Sequence, residues 1–352
     1  VKWIGGASNQ DLAAIEDLAG LYSLAGVHCL DLAADPAVVA AARRGIAWAE
    51  ARGAARPWVM VSLSDGADPH FRKAWFDPAR CPSDCLRPCE RVCPALAIPA
   101  LGPQPGAISR FSGARDGAVS GVLEERCYGC GRCLPACPLG LIEERDQLLP
   151  AAAVAPLLAD LRPDAIELHT RIGRPGAFAA RLDQVRSAGI PLRRLAVSLG
   201  LEVDRAPFPS EARGSGAGVD RLVDELWNRF AQVRAAGFAP LWQLDGRPMS
   251  GDVGAGTAHA AVGLLARLGG FVPPGPVQLA GGTNDRTLAL LARQPALAAR
   301  VAGVGFGSVA RRRLQPLLLA AQARGVSLGE AEDLWPQALV LARALVAPWL
   351  QR

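Results

Sequence analysis

The chain has 352 residues, half of them apolar and a fifth charged, which suits a folded globular protein and excludes a disordered or collagen-like one. Its net charge of +5 comes from arginines scattered among acids. Only Lys2 and Lys73 are lysines, and the one basic run, Arg311-Arg312-Arg313, reads as a solvated helix face, so no nucleic acid is expected as a partner. No apolar run reaches the roughly 18 residues of a membrane span, and the first residues lack the flank and apolar stretch of a secretory signal. The expectation is a cytoplasmic protein that is not an integral membrane protein.

In chain order, the first elements are candidate strands at 2–5, 27–32 and 57–63, separated by amphipathic helical patterns over 10–25 and 35–51. The stretch 65–147 breaks this alternation and carries eight of the nine cysteines. After it, strands are predicted at 165–169, 195–199, 241–245, 277–280 and 302–306. The clearest helix between them, 220–236, lines Leu222, Leu226 and Phe230 along one stripe. Gly26, Gly53, Gly189, Gly237 and Gly325 stand where helix C-caps should. Most strand runs are apolar on both faces, as in a covered parallel sheet. Eight strand–helix units predict an α/β fold: a (β/α)8 barrel from residues 1–64 and 148–352, interrupted by a small module at 65–147. An open doubly wound parallel sheet with the same insertion is the alternative.

The later cysteine run is Cys127-x2-Cys130-x2-Cys133-x3-Cys137-Pro138, the bacterial ferredoxin ligand pattern. Three thiolates two residues apart wrap a short loop around three iron corners of one cube. Gly129 and Gly131 let the backbone approach the inorganic sulfides. Structural zinc sites seldom use this cadence ending in Pro. The earlier run, Cys81-x3-Cys85-x3-Cys89-x3-Cys93-Pro94, has one more residue in each of its first two intervals. Both runs end Cys-Pro-x3-Ile, an internal repeat expected of a two-cluster, ferredoxin-like module.

In such modules the fourth cysteine of each run serves the other cluster. That assigns Cys127, Cys130, Cys133 and Cys93 to one 4Fe–4S cluster and Cys81, Cys85, Cys89 and Cys137 to a second. The longer spacing leaves a three-iron cluster open at the second site. Residues 99–121 read as loop or hairpin. Cys29, alone in an apolar strand, reads as a small buried hydrophobe, and His70 as a loop contact.

Two late loops are rich in glycine: Gly281-Gly282-Thr283-Asn284-Asp285, and Gly305-Phe306-Gly307-Ser308. In barrels the loops after strands seven and eight often hold phosphate, which makes Gly281, Gly282, Thr283, Gly305, Gly307 and Ser308 candidates for a phosphate or flavin-phosphate pocket, with Arg311 as counter-charge. Tight turns that need glycine whatever the ligand explain them equally well. Polar residues are also expected at strand ends: Asp31, Glu167, His169, Ser198, Asp245 and Arg247. Glu167 and His169, two apart on one strand, face the same way and could pair at a barrel mouth.

The segments around these motifs resemble the light-dependent period (LdpA) family of cyanobacteria. The likeness runs through Asp31-Leu32-Ala33-Ala34-Asp35-Pro36, Val61-Ser62-Leu63-Ser64-Asp65-Gly66, Asp68-Pro69-His70-Phe71-Arg72-Lys73 and Arg126-Cys127-Tyr128-Gly129-Cys130-Gly131-Arg132-Cys133. It continues in Ile166-Glu167-Leu168-His169-Thr170 and Asp245-Gly246-Arg247-Pro248-Met249-Ser250-Gly251-Asp252. The resemblance implies an iron–sulfur protein that senses redox state and passes it to circadian clock input proteins. The expected electron donor is a quinone or ferredoxin pool. The competing expectation is a barrel oxidoreductase that binds a flavin or phosphorylated ligand and is fed electrons by the clusters.

Overall fold

The computed structural model describes residues 1–6, 11–68, 71–99, 120–202, 217–247 and 254–352. His70 and most of the 99–121 stretch lie outside them, as do Pro248 to Asp252.

The described residues form ten strands: β1 (Lys2–Gly6), β2 (Cys29–Ala33), β3 (Trp58–Ser64), β4 (Arg72–Trp75), β5 (Glu143–Asp146), β6 (Ala165–His169), β7 (Arg194–Gly200), β8 (Pro240–Asp245), β9 (Val277–Ala280) and β10 (Val301–Phe306). Eight of them close a parallel barrel in the order β1-β10-β9-β8-β7-β6-β3-β2. This excludes the open doubly wound sheet. β4 and β5 form a separate antiparallel pair that the sequence reading missed.

The chain folds as two compact units: Val1–Gly5, Leu12–Gly66 and Leu149–Arg352 in one, Gly6–Asp11 and Ala67–Leu148 in the other. In the first, helices wrap the barrel, and all five glycines expected as C-caps have positive φ, between 63 and 96°. The helix Pro36–Glu50 begins at Asp35, whose Oδ1 accepts from the Ala37 N–H at 2.9 Å. It crosses the helix Leu12–Leu24 where Gly20 meets Gly45; a Cβ on Gly45 would stand 2.1 Å from the Glu16 carbonyl oxygen. The crossing depends on missing side chains. Gly45→Ala is expected to destabilise this unit by about 1–3 kcal/mol through overpacking, to be read from urea or thermal unfolding; an unchanged midpoint contradicts the packing argument.

The barrel interior is layered. Cys29, Met60, Ala165 and Ala196 form an apolar layer; burial pushes the Cys29 thiol up to about 12, which leaves it an inert packing group. In-register pairing then sets Asp31, Ser62, Glu167, Ser198 and Gln243 one step further along their strands.

The second unit has a core of a different kind. Ala74, Phe76, Ala97, Ile98, Val122 and Ile142 are buried together with Cys89, Cys127 and Cys133. So few aliphatic side chains make a weak core, and bound metal would supply part of its folding free energy. No helix among the described residues is long and apolar enough to cross a membrane.

Candidate iron–sulfur site and barrel interior

The two cysteine runs adopt matching backbone. Each contains a helical turn, Pro88–Arg91 and Cys133–Ala136, just before its terminal Cys-Pro. Arg87 and Gly131, each two residues before the third cysteine of its run, are both left-handed at φ 52 and 76°. Leu96 and Gly140, each three residues past the fourth cysteine, are left-handed too, at φ 50 and 62°. The Ala97 N–H donates to Cys93 Sγ at 3.2 Å and the Leu141 N–H to Cys137 Sγ at 3.4 Å, again at equal spacing. A third backbone donor, Arg87 N–H, reaches Cys85 Sγ at 3.4 Å. The repeat is therefore structural as well as textual, although one copy uses arginine and leucine where the other uses glycine.

A left-handed residue with a Cβ costs about 1–2 kcal/mol. Leu96 is exposed, so Leu96→Gly is expected to stabilise the iron–sulfur unit by up to about 1 kcal/mol, whereas Gly140→Val should destabilise it by at least as much. Thermal loss of the cluster absorption would report both; equal behaviour of the two variants contradicts the strain argument.

The thiols are influenced by the neighbours that crossed ligation requires. Burial, then the charges of Cys127, Cys130 and Cys93, push Cys133 up to about 12. Cys89 is raised by burial first, with Cys137 and Cys85 among its neighbours. Cys81 is raised by burial and then by Cys85. At Cys137 burial acts upward, but the N–H groups of Leu141, Leu139, Ile142 and Gly140 outweigh it and bring the thiol below its ordinary value. Cys93 of the earlier run thus lies near Cys133 of the later one, and Cys137 of the later run near Cys89 of the earlier one.

Eight thiols in one small unit, with backbone N–H groups turned toward three of the sulfurs, fit iron–sulfur ligation. Among the described residues, no three His, Cys, Asp or Glu side chains gather as a single-ion site.

The barrel interior holds a second group of chemistry-bearing residues. Glu167 and His169 do come together, His169 Nε2 lying 2.8 Å from Glu167 Oε1. The sequence reading missed the residue at their centre, Lys2. Its Nζ donates to Asp31 Oδ2 at 2.7 Å and to Glu167 Oε2, and all three side chains are almost wholly buried. Asp31 also accepts from Ser62 Oγ at 2.6 Å, and Gln243 Nε2 donates to Glu167 Oε1 at 2.8 Å. Ser198 Oγ donates to Asp245 Oδ2.

Burial opposes the charge on Lys2, but Asp31 and Glu167 outweigh it and hold the ammonium above its ordinary value. Burial raises Asp31 to about 6, helped by the Glu167 charge. Glu167 feels the same burial, yet Lys2 and His169 hold it well below the usual carboxylate range. A signal for Lys2 was present: it is one of two lysines in the chain and lies in an apolar strand, where an unpaired ammonium could not remain.

The glycine loops are closely packed. Gly281 and Gly282 have φ of 60 and 102°, and a Cβ on them would stand 2.5 Å from the Arg247 carbonyl oxygen and 2.7 Å from that of Thr257. A Cβ on Gly305 would meet Ile4 at 2.9 Å. Thr283 Oγ1 donates to the Gly305 carbonyl. Gly307 caps the helix that begins at Ser308 without a side-chain bond. Arg311 donates to the Gly5 carbonyl at 2.8 Å.

Residues 81–148 match the LdpA Fe-S cluster-binding domain, and residues 157–348 match the Light dependent period A C-terminal domain. The chain is 44% identical over 357 aligned positions to Light dependent period A of Synechococcus elongatus, covering 99% of this chain and 91% of that protein. Among solved structures, a truncated 3-deoxy-D-arabino-heptulosonate 7-phosphate synthase from Thermotoga maritima aligns over 93% of this chain and 88% of its own, at 10% identity and a TM-score of 0.40. The barrel assignment rests on this chain's own strand pairing.

Proposed function

The chain belongs to the light dependent period A family and carries its iron–sulfur-binding domain, and from that premise we propose that it is a cytoplasmic redox sensor that conveys redox or light state to the circadian clock. The observation that carries this reading is that one small unit holds the eight clustered cysteines, with Cys93 near Cys133 and Cys137 near Cys89. Cys127, Cys130, Cys133 and Cys93 would hold one 4Fe–4S cluster, and Cys81, Cys85, Cys89 and Cys137 the other, with a three-iron form as the alternative at the second site. When bound, such clusters exchange single electrons at potentials set by charge, burial and hydrogen bonds to sulfur.

The protein's own part is to tune that exchange. The Ala97, Leu141 and Arg87 N–H groups place partial positive charge beside three ligand sulfurs, which favours the reduced, more negative state. Burial of Cys89, Cys127 and Cys133 works in the opposite sense. Electrons would come from a quinone or ferredoxin pool, and clock input proteins would read the result. An EPR-monitored redox titration of anaerobic protein tests this: reversible signals within the roughly −700 to +450 mV range of such clusters, with the fold intact by circular dichroism, support a sensor. Clusters that reduce only as the protein unfolds would reduce them to structural staples.

The buried Lys2, Asp31, Glu167 and His169 network favours a second reading, a barrel oxidoreductase with a flavin or phosphate ligand. Its glycine-loop argument is weakened by the packing needs of Gly281, Gly282 and Gly305. Flavin released on denaturing anaerobic protein would favour the enzyme over the sensor.

A further inference from the structure

We infer that the barrel unit binds a small organic anion with an apolar body in a cavity at the end where its strands begin. The cavity has a volume of about 770 Å³, within the range of sites that enclose small ligands. Its lining comes largely from first strand residues or their neighbours, among them Trp58, Arg194 and Leu241. It is therefore separate from the opposite end, where the loops after the strands gather and barrel chemistry is usually found.

Trp58, Met60 and Leu241 supply apolar wall. Gln278 also lines the cavity; it is 8% exposed, and its Oε1 has no hydrogen-bond partner among the described residues. That oxygen is shielded from solvent, so a turn of the Gln278 amide would present it to a ligand's hydroxyl, and the bond would recover the free energy that an unpartnered buried acceptor costs. Arg56 and Arg194 also line the cavity, and neither forms an ion pair among the described residues. Lys2 reaches the cavity too, but Asp31 and Glu167 already hold its ammonium. The ligand this arrangement fits has an apolar, preferably aromatic, body, a carboxylate-type group for the arginines and a hydroxyl for Gln278. Nothing in this assignment depends on the iron–sulfur clusters.

The test is calorimetric titration of the full, cluster-containing chain with 6-hydroxy-2-naphthoate and with 2-naphthoate, which lacks the hydroxyl. The expected result is one saturable site that binds the hydroxylated acid about tenfold more tightly, the effect of one buried hydrogen bond. Gln278→Leu should erase that difference. Arg56→Ala combined with Arg194→Ala should weaken both acids about tenfold or more. Ala302→Trp, at an exposed lining position, should block both. If Gln278→Leu fails to fold, the comparison of the two acids on the unaltered chain still decides. Absence of saturable binding, equal affinity for the two acids, or binding unchanged by the arginine pair and by Ala302→Trp would overturn the assignment.

Discussion

Cys93→Ser is expected to abolish the same cluster signal as Cys130→Ser, although the two residues belong to different cysteine runs. The reason is the proposed crossed ligation, supported by Cys93 lying near Cys133 and Cys137 near Cys89. Each substitution should lower iron from about eight to about four atoms per chain and leave the second EPR signal in place. Cys137→Ser should remove the complementary signal together with Cys85→Ser. Serine is the sharper choice because it keeps the size and changes the ligand from a soft thiolate to a hard hydroxyl. Pairing of Cys93 with the earlier run, so that Cys93→Ser and Cys85→Ser abolish one signal between them, would contradict the crossing and require uncrossed sites.

The second large effect is expected at the barrel centre. Lys2→Met should destabilise the protein by about 3–5 kcal/mol near pH 8, because it leaves Asp31 and Glu167 buried without their common cation. The pH dependence follows from the directions of the shifts. Lys2 lies above its ordinary value, so its contribution is present through neutral pH and is lost only as pH rises beyond that value. Asp31, raised to about 6, stabilises the fold below its ordinary value and loses that contribution as pH rises through about 6. Glu167, held low, contributes above its ordinary value and loses that contribution on acidification.

Without the lysine, both carboxylates gain by taking up protons. The deficit of Lys2→Met should therefore shrink between pH 8 and pH 5 in urea unfolding of the cluster-containing protein. A deficit that stays constant over that interval would show that lost packing, and not unpaired charge, is responsible.

Much of the barrel could be read from the chain because its strands are apolar on both faces and its helices end in glycine. The 165–169 and 277–280 strands were placed to the residue, and the other six within two residues at each end. β4 and β5 were invisible for the opposite reason. Arg72-Lys73-Ala74-Trp75 and Glu143-Glu144-Arg145-Asp146 are mostly charged, and the pair is held by cross-strand contacts that no single segment reveals. Arg72 Nη1 lies 2.8 Å from Glu144 Oε2, and the Arg145 guanidinium stacks 3.1 Å from the Trp75 ring centre.

The cysteine spacing points to the proposed cluster ligands because thiolate geometry around a cube constrains the chain locally. The matching left-handed positions were half hidden, since Arg87 and Leu96 carry no glycine signature. Barrel closure brings Lys2 to Asp31 and Glu167, a contact spanning 165 residues in the second case. Local periodicity cannot express such a contact. The glycines at 281 and 282 are crowded by the backbone of Arg247 and Thr257, and the one at 305 by the Ile4 side chain, a need that reads in sequence the same way as phosphate binding.

Iron and sulfide, held by cysteine thiolates between positions 81 and 137, are expected to give the smaller unit both its fold and its redox response. Metal and acid-labile sulfide analysis of protein purified without oxygen tests it most directly. The account predicts brown protein with iron and sulfide in near-equal amounts, about eight of each per chain, whose visible absorption bleaches on reduction and returns on reoxidation. Colourless protein that carries stoichiometric zinc, or that folds fully with no metal at all, would contradict it.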